Sequence, residues 1–209
     1  LNNDLSYLSG ILTGDGYISG EKNNKYKIYC SGNPADEIEF YDNIIAPLYL
    51  KLFNARVKPK MMSGGTYGVN LSSKLVHNLL TNVLGMHKGR KEELKIPQLI
   101  KKDIKLKKQF IVGLFDTDFG FTLKKRYKNV FYYPVICFCS KSFNLTKEIY
   151  NELIKFGISP TKPYKVKRKD DRTKRGYTIT YRFDLNGHKN LIKWFKIFGT
   201  RHPKNIIKF

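Results

Sequence analysis

Apolar and polar positions alternate along this chain in two rhythms, one close to a helical turn and one of period two, and the order in which they occur repeats. Residues Tyr7 to Gly16, YLSGILTGDG, carry a helical apolar pattern. Asn3 or Asp4 is placed to cap a helix over about Leu5 to Thr13, with glycines 14 and 16 to stop it. KYKIYC (25–30) then alternates basic and apolar as a strand does. Pro34 suits a first helical turn, so PADEIEFYDNIIAPLYLKLF reads as the next helix. RVKPK (56–60) and TYGVNL (66–71) read as a strand pair around the Gly64-Gly65 turn, followed by a helix over about Ser73 to Leu84.

The same order returns about a hundred residues later, beginning at FIVGLFDTDFG (Phe110 to Gly120). A shift of 103 places Gly10 on Gly113, Leu12 on Phe115, Gly14 on Thr117 and Asp15 on Asp118. A shift of 114 places Tyr67, Leu71, Leu84 and Gly85 on Tyr181, Leu185, Phe198 and Gly199, the difference falling in loops. Each copy reads αββαββα. The fold class expected is therefore α+β, with two pseudo-symmetric units, residues 1–100 and 101–209. The second unit has the clearest strand, YTITYRFDL (177–185). In it Tyr177, Ile179, Tyr181, Phe183 and Leu185 alternate with Thr178, Thr180, Arg182 and Asp184, which predicts one packed and one wet face. YKVKRK (164–169) is its expected partner, with Tyr164 and Val166 inward and Lys165, Lys167 and Lys169 outward.

Charge narrows the partner. With 39 Lys+Arg against 17 Asp+Glu the net charge is +22, far more than solubility requires, and it points to a polyanion. The imbalance is +4 over residues 1–104 and +18 over 105–209. No apolar run approaches the roughly 20 residues of a spanning helix, and no signal pattern precedes the first helix, so the chain is expected to be intracellular. Three cysteines are too few and odd in number for a disulfide framework. Cys137 and Cys139 read as buried free thiols, and the four histidines lack ligand spacing.

Nucleic acid is the polyanion that the strand pattern favours. Lys25 and Lys27, Arg56, Lys58 and Lys60, and Lys165, Lys167, Lys169 and Arg182 all fall on predicted wet faces. A shallow sheet or two-stranded ribbon fits the major groove of duplex DNA. Lysines and arginines there meet phosphates, while Asn70, Thr178, Thr180 and Arg182 reach base edges. Lys124 and Lys125, just beyond the second motif, are placed to touch the backbone.

The motif helices carry the candidate chemistry. Gly10 and Gly14, like Gly113 and Thr117, are four apart and share a helix face, so two backbones can approach and the helices can form a seam. If the helices run parallel, Asp15 and Asp118 follow at the same end. An aspartate beside a glycine is ordinarily a turn residue, but two at equivalent places in a duplicated basic chain favour a site. Like charges at the negative ends of two helix dipoles call for a cation between them. Magnesium suits oxygen ligands and keeps positions for water and phosphate, and the carbonyls of Gly14 and Thr117 are available to join. Such a site can polarise a phosphodiester and help activate water.

LSGILTGDG (8–16) and IVGLFDTDF (111–119) resemble the paired motifs of the monomeric LAGLIDADG homing endonucleases. The unit order, the basic strands and LKIPQLI (94–100) look like that family too. The resemblance implies units packed through their motif helices, with antiparallel sheets forming a DNA-binding saddle. It also implies cleavage of both strands of a long double-stranded DNA target by a monomer, with Asp15 and Asp118 each serving one strand. The implied cofactor is magnesium, with manganese able to substitute. Calcium, larger and looser, is expected to support binding without cleavage. Family members place a lysine or glutamine near the end of a unit's second strand, a place matched by Lys141 and, more weakly, by Asn33. Thr13 and Phe119 depart from the pattern, Phe119 standing where the motif closes with glycine. Two other uses of the scaffold stay open: an RNA maturase, which would bind intron RNA, and a non-catalytic DNA-binding protein. The intact acid pair tilts the choice toward cleavage. The compartment expected is the cytoplasm of a prokaryote or an organelle of a eukaryote.

Overall fold

The computed structural model describes residues 1–20, 26–126, 129–171 and 173–207. The first motif helix, α1 (Asn3–Gly14), starts one or two residues earlier than the pattern suggests. Its cap is Asn2, whose side-chain oxygen accepts from the Leu5 N–H at 2.8 Å, rather than Asn3 or Asp4. Strands β1 (Gly16–Ile18) and β2 (Lys27–Gly32) follow. Next, α2 (Pro34–Phe40) runs without a break through a π-turn at Tyr41–Ile45 into α3 (Ala46–Phe53), where Asn54 at φ 50° ends it. Strands β3 (Lys60–Met61) and β4 (Tyr67–Ser72) and helix α4 (Lys74–Asn78), again extended by a π-turn at Leu79–Val83, complete the first copy. Arg56 and Lys58 precede the short β3 in irregular chain, so the predicted RVKPK strand reduces to Lys60.

A short connector helix, α5 (Gln98–Lys101), leads into the second motif helix, α6 (Ile104–Asp118). The second copy continues with β5 (Phe119–Lys124), β6 (Tyr133–Ser140), α7 (Phe143–Lys155), β7 (Tyr164–Lys169), β8 (Tyr177–Asn186), α8 (Gly187–Ile197) and α9 (Pro203–Ile207). The architecture is α+β with two four-stranded antiparallel sheets, ordered β1-β2-β4-β3 and β5-β6-β8-β7. Pairing register makes the duplication explicit. Gly16 pairs with Cys30 as Phe119 pairs with Phe138, and Val69 pairs with Cys30 as Phe183 pairs with Phe138. Asn70 is therefore the counterpart of Asp184, Gly68 of Arg182, and Asn33 of Lys141.

The chain divides into two compact units. One holds Leu1–Gly89, Pro97–Thr117 and Thr200–Phe209; the other holds Arg90–Ile96 and Asp118–Gly199. Both motif helices, up to Thr117, thus belong to the first unit, together with the segment from Thr200. Within it α1 and α6 pack glycine against backbone. A Cβ on Gly10 would stand 2.1 Å from the Phe110 carbonyl oxygen, and one on Gly113 2.0 Å from that of Tyr7. The Ser6 hydroxyl donates to the Leu106 carbonyl at 2.6 Å, so early turns meet early turns and the helices run parallel.

In the first unit Ile28, Cys30 and Val69 turn into a core with Tyr7, Phe40, Tyr41 and Tyr49. In the second, Ile136, Phe138, Phe183 and Leu185 meet Trp194 and Ile149 from the helices. Phe119 joins that core, its ring 4.8 Å from Phe138 and 5.3 Å from Trp194. Its backbone opens β5 just as Gly16 opens β1, so the departure fills core space without changing the pairing. Among the described residues no helix is long and apolar enough to cross a membrane.

Candidate nucleic-acid interface and metal centre

Each sheet buries one face under helices and leaves the other open, and strand parity decides which side chains reach the open face. In the first unit Tyr17, Lys27, Tyr29, Ser31, Gly68, Asn70, Ser72 and Lys60 share it, because directly paired residues of an antiparallel ladder point the same way. Lys27, Lys60 and Asn70 therefore lie where the sequence pattern puts them. Arg56 and Lys58 are exposed but outside the strands, and Lys25 lies outside the described residues.

In the second unit Thr178, Thr180, Arg182 and Asp184 occupy the open face of β8, opposite Phe183 and Leu185. The β7 assignment is reversed. Lys165 pairs with Tyr181, Lys167 with Ile179 and Lys169 with Tyr177, which puts these lysines on the helix side of an edge strand; there Lys167 lies over the Tyr177 ring at 4.0 Å. Tyr164, Val166 and Arg168 take the open face instead, opposite Arg182, Thr180 and Thr178. An edge strand that overhangs the helices leaves basic residues solvated on either face, so apolar parity is misleading there, and it hides Arg168 for the same reason. Lys124 pairs with Tyr133 at the open end of β5, whereas Lys125 donates to the Asn129 side chain at 3.1 Å. Cys137 and Cys139 also sit on the open face, half-buried, and only Cys30 is a buried thiol.

At the helix ends, Asp15 is the C-cap of α1, with helical φ −94° and ψ −3°, its N–H bonded to the Ile11 carbonyl at 2.9 Å. Asp118 is the last residue of α6. Both are half-buried. A third carboxylate, Glu37 of α2, lies in the space over Gly32, where a Cβ at residue 32 would overlap its carboxyl oxygen. Burial pushes Glu37 up to about 7, the negative charges of Asp15 and Asp36 add to the rise, and Lys204 opposes it. No signal in the sequence singles it out, since its nearness to Asp15 depends on how α2 starts. Asn33, after β2, spends its side-chain oxygen capping α2 through the Ala35 N–H at 3.1 Å. Its counterpart Lys141 is exposed, because Ser142 caps α7 instead.

Repulsion between Asp15 and Glu37 is what a divalent cation would relieve. No group of three or more His, Cys, Asp or Glu gathers for a metal among the described residues.

The other aspartate of the second motif has a structural task. Asp116 is buried and accepts from the Tyr7 hydroxyl at 2.7 Å, the Thr200 hydroxyl and the Arg201 N–H at 3.0 Å. Burial raises its pKa and these hydrogen bonds oppose the rise. Its counterpart Thr13 returns its hydroxyl to the Ser9 carbonyl of its own helix at 2.7 Å. Thr13 can therefore stand where an aspartate would otherwise need partners.

Parallel motif helices packed through glycines, two antiparallel sheets and a duplicated αββαββα order define the fold of the LAGLIDADG homing endonucleases. The crystal structure of I-DmoI in complex with DNA and Mn superposes with a TM-score of 0.61 at 19% identity, covering 96% of this chain and 98% of that one. The homing endonuclease I-WcaI bound to its DNA recognition sequence gives 0.55 at 13% identity, over 93% and 80% of the two chains. The N-terminal LAGLIDADG domain of DUF199/WhiA gives 0.56 at 11% identity, over 99% and 86%. No protein-family model matches the sequence, and no curated protein does.

Proposed function

We propose that this protein is a site-specific DNA endonuclease that makes a double-strand break in a long target by metal-dependent phosphodiester hydrolysis. The observation that carries the reading is the placement of Asp15 and Asp118 as the closing acids of two glycine-packed helices, in a chain of net charge +22. Support also comes from I-DmoI, which has been crystallised with DNA and Mn, with DNA and Ca and, as a point variant, with its target DNA in the presence of Mg.

The carboxylates of Asp15 and Asp118, with the carbonyls of Gly14 and Thr117, would hold magnesium or a similar hard ion. Bound there, the ion supplies Lewis-acid polarisation of the phosphodiester and lowers the pKa of its water. The protein's own groups do the rest. Open-face side chains hold the duplex: Lys27, Lys60, Lys124 and Arg168 meet phosphates, and Asn70, Thr178, Thr180 and Arg182 face base edges. The Lys141 ammonium would stabilise developing negative charge on the phosphate of one strand. Asn33, its oxygen held by the cap, offers only its amide N–H groups to the other, so the two cuts need not run at equal rates.

The test is cleavage of a randomised duplex library by the purified chain in magnesium. Wild type is expected to cut a defined subset. Asp15→Asn and Asp118→Asn are each expected to abolish double-strand cutting while keeping duplex binding in calcium. Cutting that survives both substitutions overturns the metal site. Binding without cutting in magnesium favours the non-catalytic reading.

A further inference from the structure

Of the basic side chains on the open face of the second sheet, Arg182 is held by a neighbouring carboxylate, in contrast to Lys124 and Arg168. The Arg182 Nε and Nη2 donate to Asp184 Oδ1 at 3.0 and 2.7 Å. The other carboxylate oxygen, Oδ2, accepts the Tyr164 hydroxyl at 2.9 Å. The Asp184 backbone is fixed in turn, since its N–H donates to the Thr161 hydroxyl at 3.0 Å and its carbonyl accepts the Thr161 N–H at 2.9 Å. The side chains of Arg182 and Asp184 are only 20% and 13% exposed, so this pair differs from the loose ion pairs of the rim. Three strands contribute: β8 carries the pair, the edge strand β7 brings Tyr164, and β6 flanks them with Cys137 and Cys139.

A guanidinium has five N–H donors in a planar fork. Two are used on Asp184, which leaves the end-on edge, one hydrogen from each of Nη1 and Nη2, free to pair with two acceptors at once. In the major groove guanine presents such a pair, O6 and N7, and this is the edge that arginine reads bidentately. The counterpart positions in the first unit hold no such pair. At the counterpart position stands Gly68, where a Cβ would fall 2.1 Å from the Cys30 carbonyl oxygen, and Asn70 stands where the second unit has Asp184.

We infer that Arg182 is a specificity-determining residue that reads one guanine of the target half under the second sheet, and that Asp184 and Tyr164 are the residues that position it. The inference rests on the DNA-binding reading above. Preorganisation is what separates it from phosphate contact. A lysine that swings freely follows the backbone of any sequence, whereas an arginine locked in one rotamer rewards only the base that meets its fork.

The experiment is selection of bound duplexes from a randomised pool by the full chain in calcium, followed by sequencing. Wild type is expected to show a strong guanine preference at a position that Arg182→Ala loses, by about tenfold or more, as expected for one bidentate base contact. Arg182→Gln, shorter but still a polar side chain with a bidentate amide, is expected to fold and to move that position toward adenine. Asp184→Ala is expected to blunt the guanine preference with Arg182 intact. A uniform loss of affinity across all sequences on Arg182→Ala, with a shallower salt dependence, would make Arg182 a phosphate clamp and overturn the inference. So would an unchanged preference in Arg182→Gln. If wild type binds no duplex at all, the DNA reading beneath it fails, an outcome distinct from these.

Discussion

Gly10 and Gly113 face each other's helices so closely that neither position has room for a methyl group: the added carbon would lie about 2 Å from the carbonyl oxygen of Phe110 or of Tyr7. Alanine would raise helix propensity by about 1 kcal/mol. The overlap is with backbone and cannot be relieved by a rotamer change, so the helices must separate. Gly10→Ala or Gly113→Ala is expected to destabilise the protein by about 2–3 kcal/mol net, read as a lower denaturation midpoint. A stability gain from either substitution would contradict the packing.

Asp116 ties Tyr7 to the segment that begins at Thr200. Asp116→Ala is expected to cost about 2–4 kcal/mol, because several donors lose a buried acceptor together. Limited proteolysis should then cut near residues 200–207 before the sheets. Thr13→Val, at the equivalent place in the first motif, loses one hydrogen bond within its own helix and is expected to cost about 1 kcal/mol or less.

Glu37 sets a pH dependence. Its folded-state pKa, raised to about 7 from 4.5, means that its contribution to stability is complete below about pH 4.5 and is lost as the pH rises through 7. Glu37→Gln is neutral throughout and should be more stable than wild type at pH 8, by about 1 kcal/mol once partial exposure is allowed for. Below pH 4.5 the two should converge. Thermal melts at a series of pH values without divalent ions read this directly, and adding magnesium at pH 8 should stabilise wild type more than Glu37→Gln.

Open-face charge on the second sheet, from β5 and β7, and helix-side charge on β7 should differ in their effect on DNA. Lys124→Ala with Arg168→Ala removes open-face charge and is expected to reduce the slope of log affinity against log salt by about 2. Lys165→Ala with Lys167→Ala, on the helix side, removes the same formal charge and should change the slope by less than half as much. Equal effects would mean that both faces of the edge strand reach the duplex.

Much of this fold is legible in the chain. The nine-residue alternation of β8 and the repeat shifts of 103 and 114 yield strand faces and counterparts that pairing register reproduces, because a period of two and a duplicated core each write themselves into local sequence. What the sequence does not show depends on interactions across long stretches of chain or on the limits of a layer. The orientation of Lys165, Lys167 and Arg168 depends on where the helices stop covering β7. The half-exposed positions of Cys137 and Cys139 follow from parity relative to Phe138, in a strand apolar on both faces. The partners of Asp116 in the closing segment lie more than eighty residues further along, and Glu37 carries no pattern until α2 is in place.

Residues 200–207 belong with the first unit although they follow the whole of the second in the chain. During translation, then, the earlier-made portion waits. Until Thr200 and Arg201 leave the ribosome, Asp116 lacks two of its donors and Phe40 lacks the His202 ring that stacks on it at 4.2 Å. The second sheet can mature vectorially while its predecessor remains open, so nascent chains stalled before residue 200 would be the ones to engage chaperones.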